Sequence, residues 1–248
     1  MYGWKGRIGL LIPSRNTTME PEFAKMAPEG VSTHAARLVL KDVSPSALKS
    51  MEEEVYRAAS LVTAVNPAVI VVGCTSGSFV GGVGYDQNLM RKIFEHTGVQ
   101  AITTSTAVIE GLLSMQIKSV AVATPYTDEV NEKEREFIEG HGIRVTRIKG
   151  LGYSEPVRSY PLASRPVSGM GLLEPAVAYR MALDVDTADA DGIFISCTNF
   201  RTIEIIDALE KNLGKPVVTS NQASMAMALR AMGIREKVAG FGRLLAPL

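Results

Sequence analysis

Cys74 and Cys197 are the only two cysteines of the chain. Each closes the same local pattern. Ala68-Val69-Ile70-Val71-Val72 runs apolar into Gly73-Cys74-Thr75-Ser76, and Gly192-Ile193-Phe194-Ile195 runs apolar into Ser196-Cys197-Thr198-Asn199. An apolar run followed by small polar residues and a helical pattern reads as a buried parallel strand turning into a helix. In open α/β sheets, ligands bind outside the carboxyl ends of such strands. A helix N-terminus there offers unpaired N–H groups and partial positive charge, which lower a thiol pKa, so both thiols are expected to ionise readily. Apolar strand contexts also suit buried, inert cysteines.

Two thiols on opposite faces of a flat substrate support one family of reactions. A thiolate adds to a carbon or takes its proton, and a neutral thiol opposite delivers one. No histidine stands beside either cysteine, which disfavours a Cys-His hydrolase. His34, His96 and His141 have no ligand-like spacing and there is no C-x-x-C, so no metal is expected. The hydroxyls of Thr75, Ser76, Thr198 and Tyr126 and the amides of Asn16 and Asn199 suit a bound carboxylate. The Ser and Thr residues fit plain helix caps equally well.

The elements that would carry these residues occur twice. Strand Arg7–Ile12 is stopped by Pro13, and strand Ser119–Thr124 by Pro125. In the first half, a helix from Met19 capped by Thr17 or Thr18, a strand Val31–Leu40, a helix Ala47–Val65 and the Cys74 strand follow. The second half answers with a helix Asp128–Gly140, a strand Ile143–Ile148, a helix Glu174–Leu183 and the Cys197 strand. A glycine-rich loop through Gly77, Gly81, Gly82 and Gly84 and a helix Asp86–His96 come after Cys74; a helix Arg201–Leu213 comes after Cys197. Ala101-Ile102-Thr103-Thr104-Ser105 aligns with Pro216-Val217-Val218-Thr219-Ser220, ahead of helices Ala107–Met115 and Ala223–Met232. The connection 150–171 is long and rich in Pro and Ser, as functional loops often are. The fold class read from this is α/β: two lobes related by a pseudo-twofold axis, each a parallel sheet flanked by helices, with the active site in the cleft between them. The expected division is residues 1–105 plus 220–248 for one lobe and 106–219 for the other.

Composition sets the outer bounds. Basic and acidic residues balance at 26 each, with no run of like charge, so neither nucleic acid nor a membrane surface is an expected partner. The chain enters a strand almost at once, leaving no room for a signal peptide, and no apolar run spans a bilayer. A cytoplasmic protein is expected. Its expected partners are a small carboxylate substrate and copies of itself, in a dimer or higher homo-oligomer, with no cofactor.

The residues also resemble a family. Pro13-Ser14-x-Asn16-Thr17-Thr18-Met19-Glu20, Cys74-Thr75-Ser76, Thr124-Pro125-Tyr126-x-Asp128-x-Val130-Asn131, Ser196-Cys197 and the closing Gly240-Phe241-Gly242-Arg243-Leu244 are similar to the maleate isomerase and arylmalonate decarboxylase branch of the aspartate/glutamate racemase superfamily. The resemblance implies two flavodoxin-like lobes. It implies Cys74 as a nucleophile that adds to an alkene carbon, Cys197 as acid and base, and Asn16 and Tyr126 as carboxylate ligands. The decarboxylases carry glycine in place of the first cysteine, and residues matching Thr75, Ser76 and Tyr126 hold their carboxylate. Leu40 and Val43 match an apolar pocket there. The leading expectation is a cofactor-independent cis–trans isomerase of a small dicarboxylate, maleate to fumarate in type. A racemase or epimerase of an amino or carboxylic acid, or an arylmalonate-type decarboxylase, is the alternative.

Overall fold

The computed structural model describes residues 1–39, 45–153, 156–157 and 167–246. The apolar runs form strands and the amphipathic stretches cover them. In chain order these are β1 (Gly6–Pro13), α1 (Met19–Met26), β2 (Val31–Leu38), α2 (Pro45–Thr63), β3 (Val69–Val72), α3 (Thr75–Phe79), α4 (Tyr85–Thr97), β4 (Ala101–Thr103) and α5 (Thr104–Ser114). The second half has β5 (Ser119–Thr124), α6 (Asp128–Gly140), β6 (Arg144–Gly150), a small ladder of β7 (Pro156–Val157) with β8 (Val167–Ser168), α7 (Pro175–Val185), β9 (Gly192–Ile195), α8 (Ile206–Leu213), β10 (Val217–Thr219) and α9 (Ser220–Ala231).

Two four-stranded sheets result, ordered β2-β1-β3-β4 and β6-β5-β9-β10, and every pairing within them is parallel. The orders are the same once the halves are aligned, as the repeat requires. The central strands β3, β5 and β9 are buried along their whole length. That is the pattern of a sheet covered on both faces. The register repeats too: Gly73 N–H donates to Leu11 carbonyl at 2.8 Å, and Ser196 N–H to Ala123 carbonyl at 2.9 Å. Each cysteine is therefore the second residue past its strand, level with a proline at the end of the neighbouring one.

The lobes share their helices. α5 and α9 pack side by side; α9 also touches β3, β4 and α1, and α5 touches β10 as well as β4. Thr103 caps α5 through Thr106 N–H, and Thr219 caps α9 in a capping box with Gln222. Those caps pair Thr103 with Thr219, one residue away from the alignment that pairs Thr104 with Thr219, because the threonine that closes the strand must also cap the helix. Among the described residues, no helix is long and apolar enough to cross a membrane.

Three local expectations change. Thr18 is the N-cap residue of α1, but its side chain makes no cap hydrogen bond; Asn16 supplies the acceptor, its Oδ1 taking the N–H groups of Thr18 and Met19 at 2.9 and 3.0 Å. The glycine-rich segment after Cys74 opens with a short helix, because the Ser78 hydroxyl reaches back to the Cys74 carbonyl at 2.8 Å. α8 starts at Ile206 instead of Arg201. The chain before it turns around a buried carboxylate, Glu22, which accepts Thr202 N–H at 2.8 Å and Ile203 N–H at 3.4 Å.

Glu22 belongs to α1 in the first half, yet its partners lie in the second. Its other oxygen accepts the Asn221 amide at 2.6 Å. Burial lifts its pKa from 4.5 to about 7, against the pull of these hydrogen bonds. Between those values the folded chain keeps a proton that the unfolded chain has released. Stability therefore falls as pH rises through that window, by about 3 kcal/mol, and the loss is complete above it. Glu22→Ala leaves three donors without their acceptor. The expected outcome in denaturant unfolding at pH 5 is a loss of roughly 2–4 kcal/mol. Between pH 5 and 8 the variant should then lose less stability than the native chain; parallel curves would contradict the assignment.

Candidate active site

The carboxyl ends of the two sheets face each other across a cavity of about 460 Å³. Cys74, Cys197, Asn16, Thr75, Ser76, Tyr126, Thr198 and Asn199 all line it. The sites arise at equivalent places: Asn16 and Cys74 follow β1 and β3, whereas Tyr126 and Cys197 follow β5 and β9. These are the switch points at which neighbouring connections leave a sheet in opposite directions.

Each turn is held by its own residues. Tyr126 N–H donates to the Thr124 hydroxyl at 3.0 Å, which donates to Asn131 Oδ1 at 2.6 Å. Gly150 passes so close that a Cβ there would stand 2.1 Å from the Tyr126 carbonyl oxygen. Cys197 adopts φ 94°, a conformation that side-chain-bearing residues rarely take and that costs roughly 1–3 kcal/mol. Its N–H donates to Ser220 Oγ at 3.0 Å, and its carbonyl accepts Phe200 N–H at 3.2 Å. Cys74 has an ordinary extended backbone at the start of α3.

Four of the candidate ligands spend polar atoms on joining the two halves of the chain. Asn16 Nδ2 donates to Thr198 Oγ1 at 2.9 Å, and Thr198 Oγ1 donates to the Gly73 carbonyl at 3.1 Å. Asn199 Oδ1 accepts Thr17 N–H at 3.0 Å. Thr75 Oγ1 donates to Ser220 Oγ at 3.0 Å. The remaining two, Ser76 and Tyr126, turn to the sulfurs. Ser76 and the Gly77 N–H favour the Cys74 anion. The Tyr126 hydroxyl and the Asn199 N–H, the latter 3.4 Å from the sulfur, favour the Cys197 anion.

Those donors do not offset burial. Both thiols are free and buried. Desolvation raises Cys74 above the ordinary 9.0 and pushes Cys197 up to about 12. The expectation of readily ionised thiols is thus corrected: α3 has only five residues, and among the described residues Arg15 is the sole cation on the cavity wall, in an exposed loop. Tyr126 is likewise raised, first by burial and then by the Cys197 charge. Among the described residues, no three His, Cys, Asp or Glu side chains gather as metal ligands.

Sequence reasoning missed other wall residues. Arg15 sits between the flagged Ser14 and Asn16. Tyr153, Ser168 and Met170 come from the long connection, whose length was the only signal. Met170 Sδ lies 3.8 Å from the Cys197 sulfur. Leu40 and Val43 lie outside the described residues.

Removing the Tyr126 hydroxyl takes away a hydrogen bond that favours the Cys197 anion, worth roughly 1.5–3 kcal/mol. Tyr126→Phe is expected to slow alkylation of Cys197 by about 10–100-fold at a given alkaline pH while Cys74 keeps its rate, read by mass spectrometry of the two cysteine peptides. Equal slowing of both thiols would show a general loosening instead.

The fold has counterparts in known proteins. Arylmalonate decarboxylase of Bordetella bronchiseptica is 30% identical over 240 residues, covering 96% of this chain and 95% of that protein. The maleate isomerase Iso of Pseudomonas putida S16, solved with maleate, matches with a TM-score of 0.88 at 25% identity over 97% of each chain. A cysteine mutant of Nocardia farcinica maleate cis-trans isomerase, solved with a covalently bound succinylcysteine intermediate, matches with a TM-score of 0.86 at 24% identity over 97% of this chain and 98% of that one. The sequence model of arylmalonate decarboxylase runs from β1 through both thiol turns to the closing segment, residues 8–245, and by that match this chain belongs to the arylmalonate decarboxylase family.

Proposed function

We propose that the protein is a cofactor-independent isomerase that turns a small cis dicarboxylate of the maleate type into its trans form. The observation that carries this reading is the presence of two thiols on the wall of one cavity, each with its own anion-favouring donors. Decarboxylation followed by protonation needs one thiol and leaves Cys74 without a part.

In this reading Cys74 reacts as the anion. Its sulfur bonds to one alkene carbon, the π pair moves to the neighbouring carbon, and that carbon takes the Cys197 proton. The carbon–carbon bond is now single and turns. Cys197, held as an anion by Tyr126 and the Asn199 N–H, takes a proton back from that carbon. The sulfur–carbon bond then breaks, and both thiols return to their starting states. The succinylcysteine of the Nocardia farcinica enzyme is the corresponding adduct in a relative. Arg15 supplies charge for a carboxylate at the rim.

One feature favours racemisation as the second reading. Donors on both sulfurs let either one carry charge, which suits two one-sided proton transfers at a carbon next to a carboxylate.

Intact-protein mass spectrometry after exposure to maleate separates the two. Isomerisation predicts no adduct on Cys74→Ser and an adduct that accumulates on Cys197→Ala. Racemisation predicts no adduct anywhere and deuterium uptake from heavy water at a carbon next to a carboxylate, which would displace the isomerase reading. Arg15→Ala is expected to raise KM about tenfold with kcat within about twofold, because a rim charge binds ground and transition states alike; a kcat loss at unchanged KM would place Arg15 in the chemistry.

A further inference from the structure

Glu134 is a buried carboxyl that no step above uses. It sits on the inner face of α6, 1% exposed. Ser196 Oγ is 2.6 Å from its Oε1, and its Oε2 has no partner among the described residues. Ser196 closes β9 directly before Cys197, so this contact anchors the strained turn from behind. Cys197 and Tyr126 both lie near enough to feel a charge on Glu134.

Among the described residues, nothing near it supplies a counter-charge. α6 packs against β6 and α3. The cations of β6 are engaged outward: Arg144 with Asp189, Arg147 with the Asp184 carbonyl, and Lys149 with the Asp184 carboxylate. α3 has no titratable side chain. On α6 itself, Arg135 donates to the Val145 carbonyl, and neither it nor Lys133 contributes to the titration of Glu134. Among the described residues, a carboxylate there would act on the Tyr126 hydroxyl and the Cys197 sulfur, with one buried oxygen unpaired. Such a group is more stable neutral.

We propose that Glu134 is a positioning residue that anchors the Cys197 turn through Ser196, and that it does so as a neutral acid so that the Cys197 sulfur can take on negative charge. Desolvation supports this by raising its pKa to about 8, against the Ser196 hydrogen bond. Above that pH the ionised carboxyl repels the Cys197 anion and disfavours it. The proposal rests on Cys197 being the proton-transferring thiol, but its test needs no turnover.

The test follows alkylation of Cys197 by iodoacetamide against pH, with Cys74→Ser as the parent and Glu134→Gln added to it. Only the thiolate reacts, so the rate reports ionisation. Below pH 7 both chains carry a neutral group at residue 134 and are expected to react alike. Above pH 9 the Gln chain is expected to react several-fold faster. A constant ratio across the whole range would mean a merely structural role and would overturn the proposal. If the Gln chain does not fold, infrared spectroscopy at pH 7.5 of Glu22→Gln protein, which lacks the other carboxyl lifted to about 7, gives a second reading. A persisting carboxylic-acid band is expected there, and its absence would overturn the neutral-acid state. Failure of the adduct experiment with an intact pH split would remove the isomerase reading and leave this one standing.

Discussion

The structure depends on a buried polar seam between its two halves. Apolar packing alone would let two α/β lobes slide, because burial has no direction. Hydrogen bonds do have direction, and here they tie the cysteine turns together. Thr198, next to Cys197, bridges Asn16 and the carbonyl of Gly73, next to Cys74. Ser220 holds Cys197 N–H and is held by Thr75. Asn221 joins the Thr198 carbonyl to Glu22 on the first lobe. A shift of one lobe would break several of these bonds and leave buried groups unpaired, at roughly 1–3 kcal/mol each. The seam thereby fixes the cavity width that both thiols share.

The same dryness governs the electrostatics. Cys74, Cys197, Tyr126, Glu22 and Glu134 are all raised, with burial as the first cause in each case. The buried interior therefore favours neutral acids near neutral pH. Donors already stand in place beside each sulfur, which is the condition for stabilising charge without reorganisation.

Much of this was legible in the residues. The strands announce themselves through apolar runs such as Val69-Ile70-Val71-Val72, and the doubled pattern gives two sheets of one topology. The gathering of Asn16, Tyr126 and both cysteines follows from their places at strand ends. What the residues do not disclose is the partner each polar group chooses. Asn16, Thr75 and Thr198 look like ligands in a list of side chains, yet part of their hydrogen-bonding capacity goes to the other half of the chain. Glu22 and Glu134 look like ordinary acidic residues on amphipathic helices. Only packing shows that each points inward, because helix periodicity allows one polar residue on a buried face when a partner 180 or 62 residues away is waiting for it. The thiol pKa values fail for the same reason: strand-to-helix turns suggest stabilised anions, but the depth of burial is a property of the assembled halves.

The repeat also explains why the two thiols differ. Both occupy one topological position, so a symmetric site would give them equal acidity and equal access. The surroundings break that symmetry. Cys74 begins a helical turn with an ordinary backbone, and Ser76 and Gly77 stand by its sulfur. Cys197 sits in a strained turn, and its sulfur meets Tyr126, Asn199 and Met170. A phenol and a thioether stand at the Cys197 sulfur, and a serine hydroxyl and a backbone N–H at that of Cys74. Bond formation to carbon needs open approach and an anion, and proton transfer needs only a short reach to a well-placed acid. Burial raises both thiols, so the difference between them rests on these neighbours. A duplicated fold has kept one backbone position for the two cysteines and surrounded each with different residues.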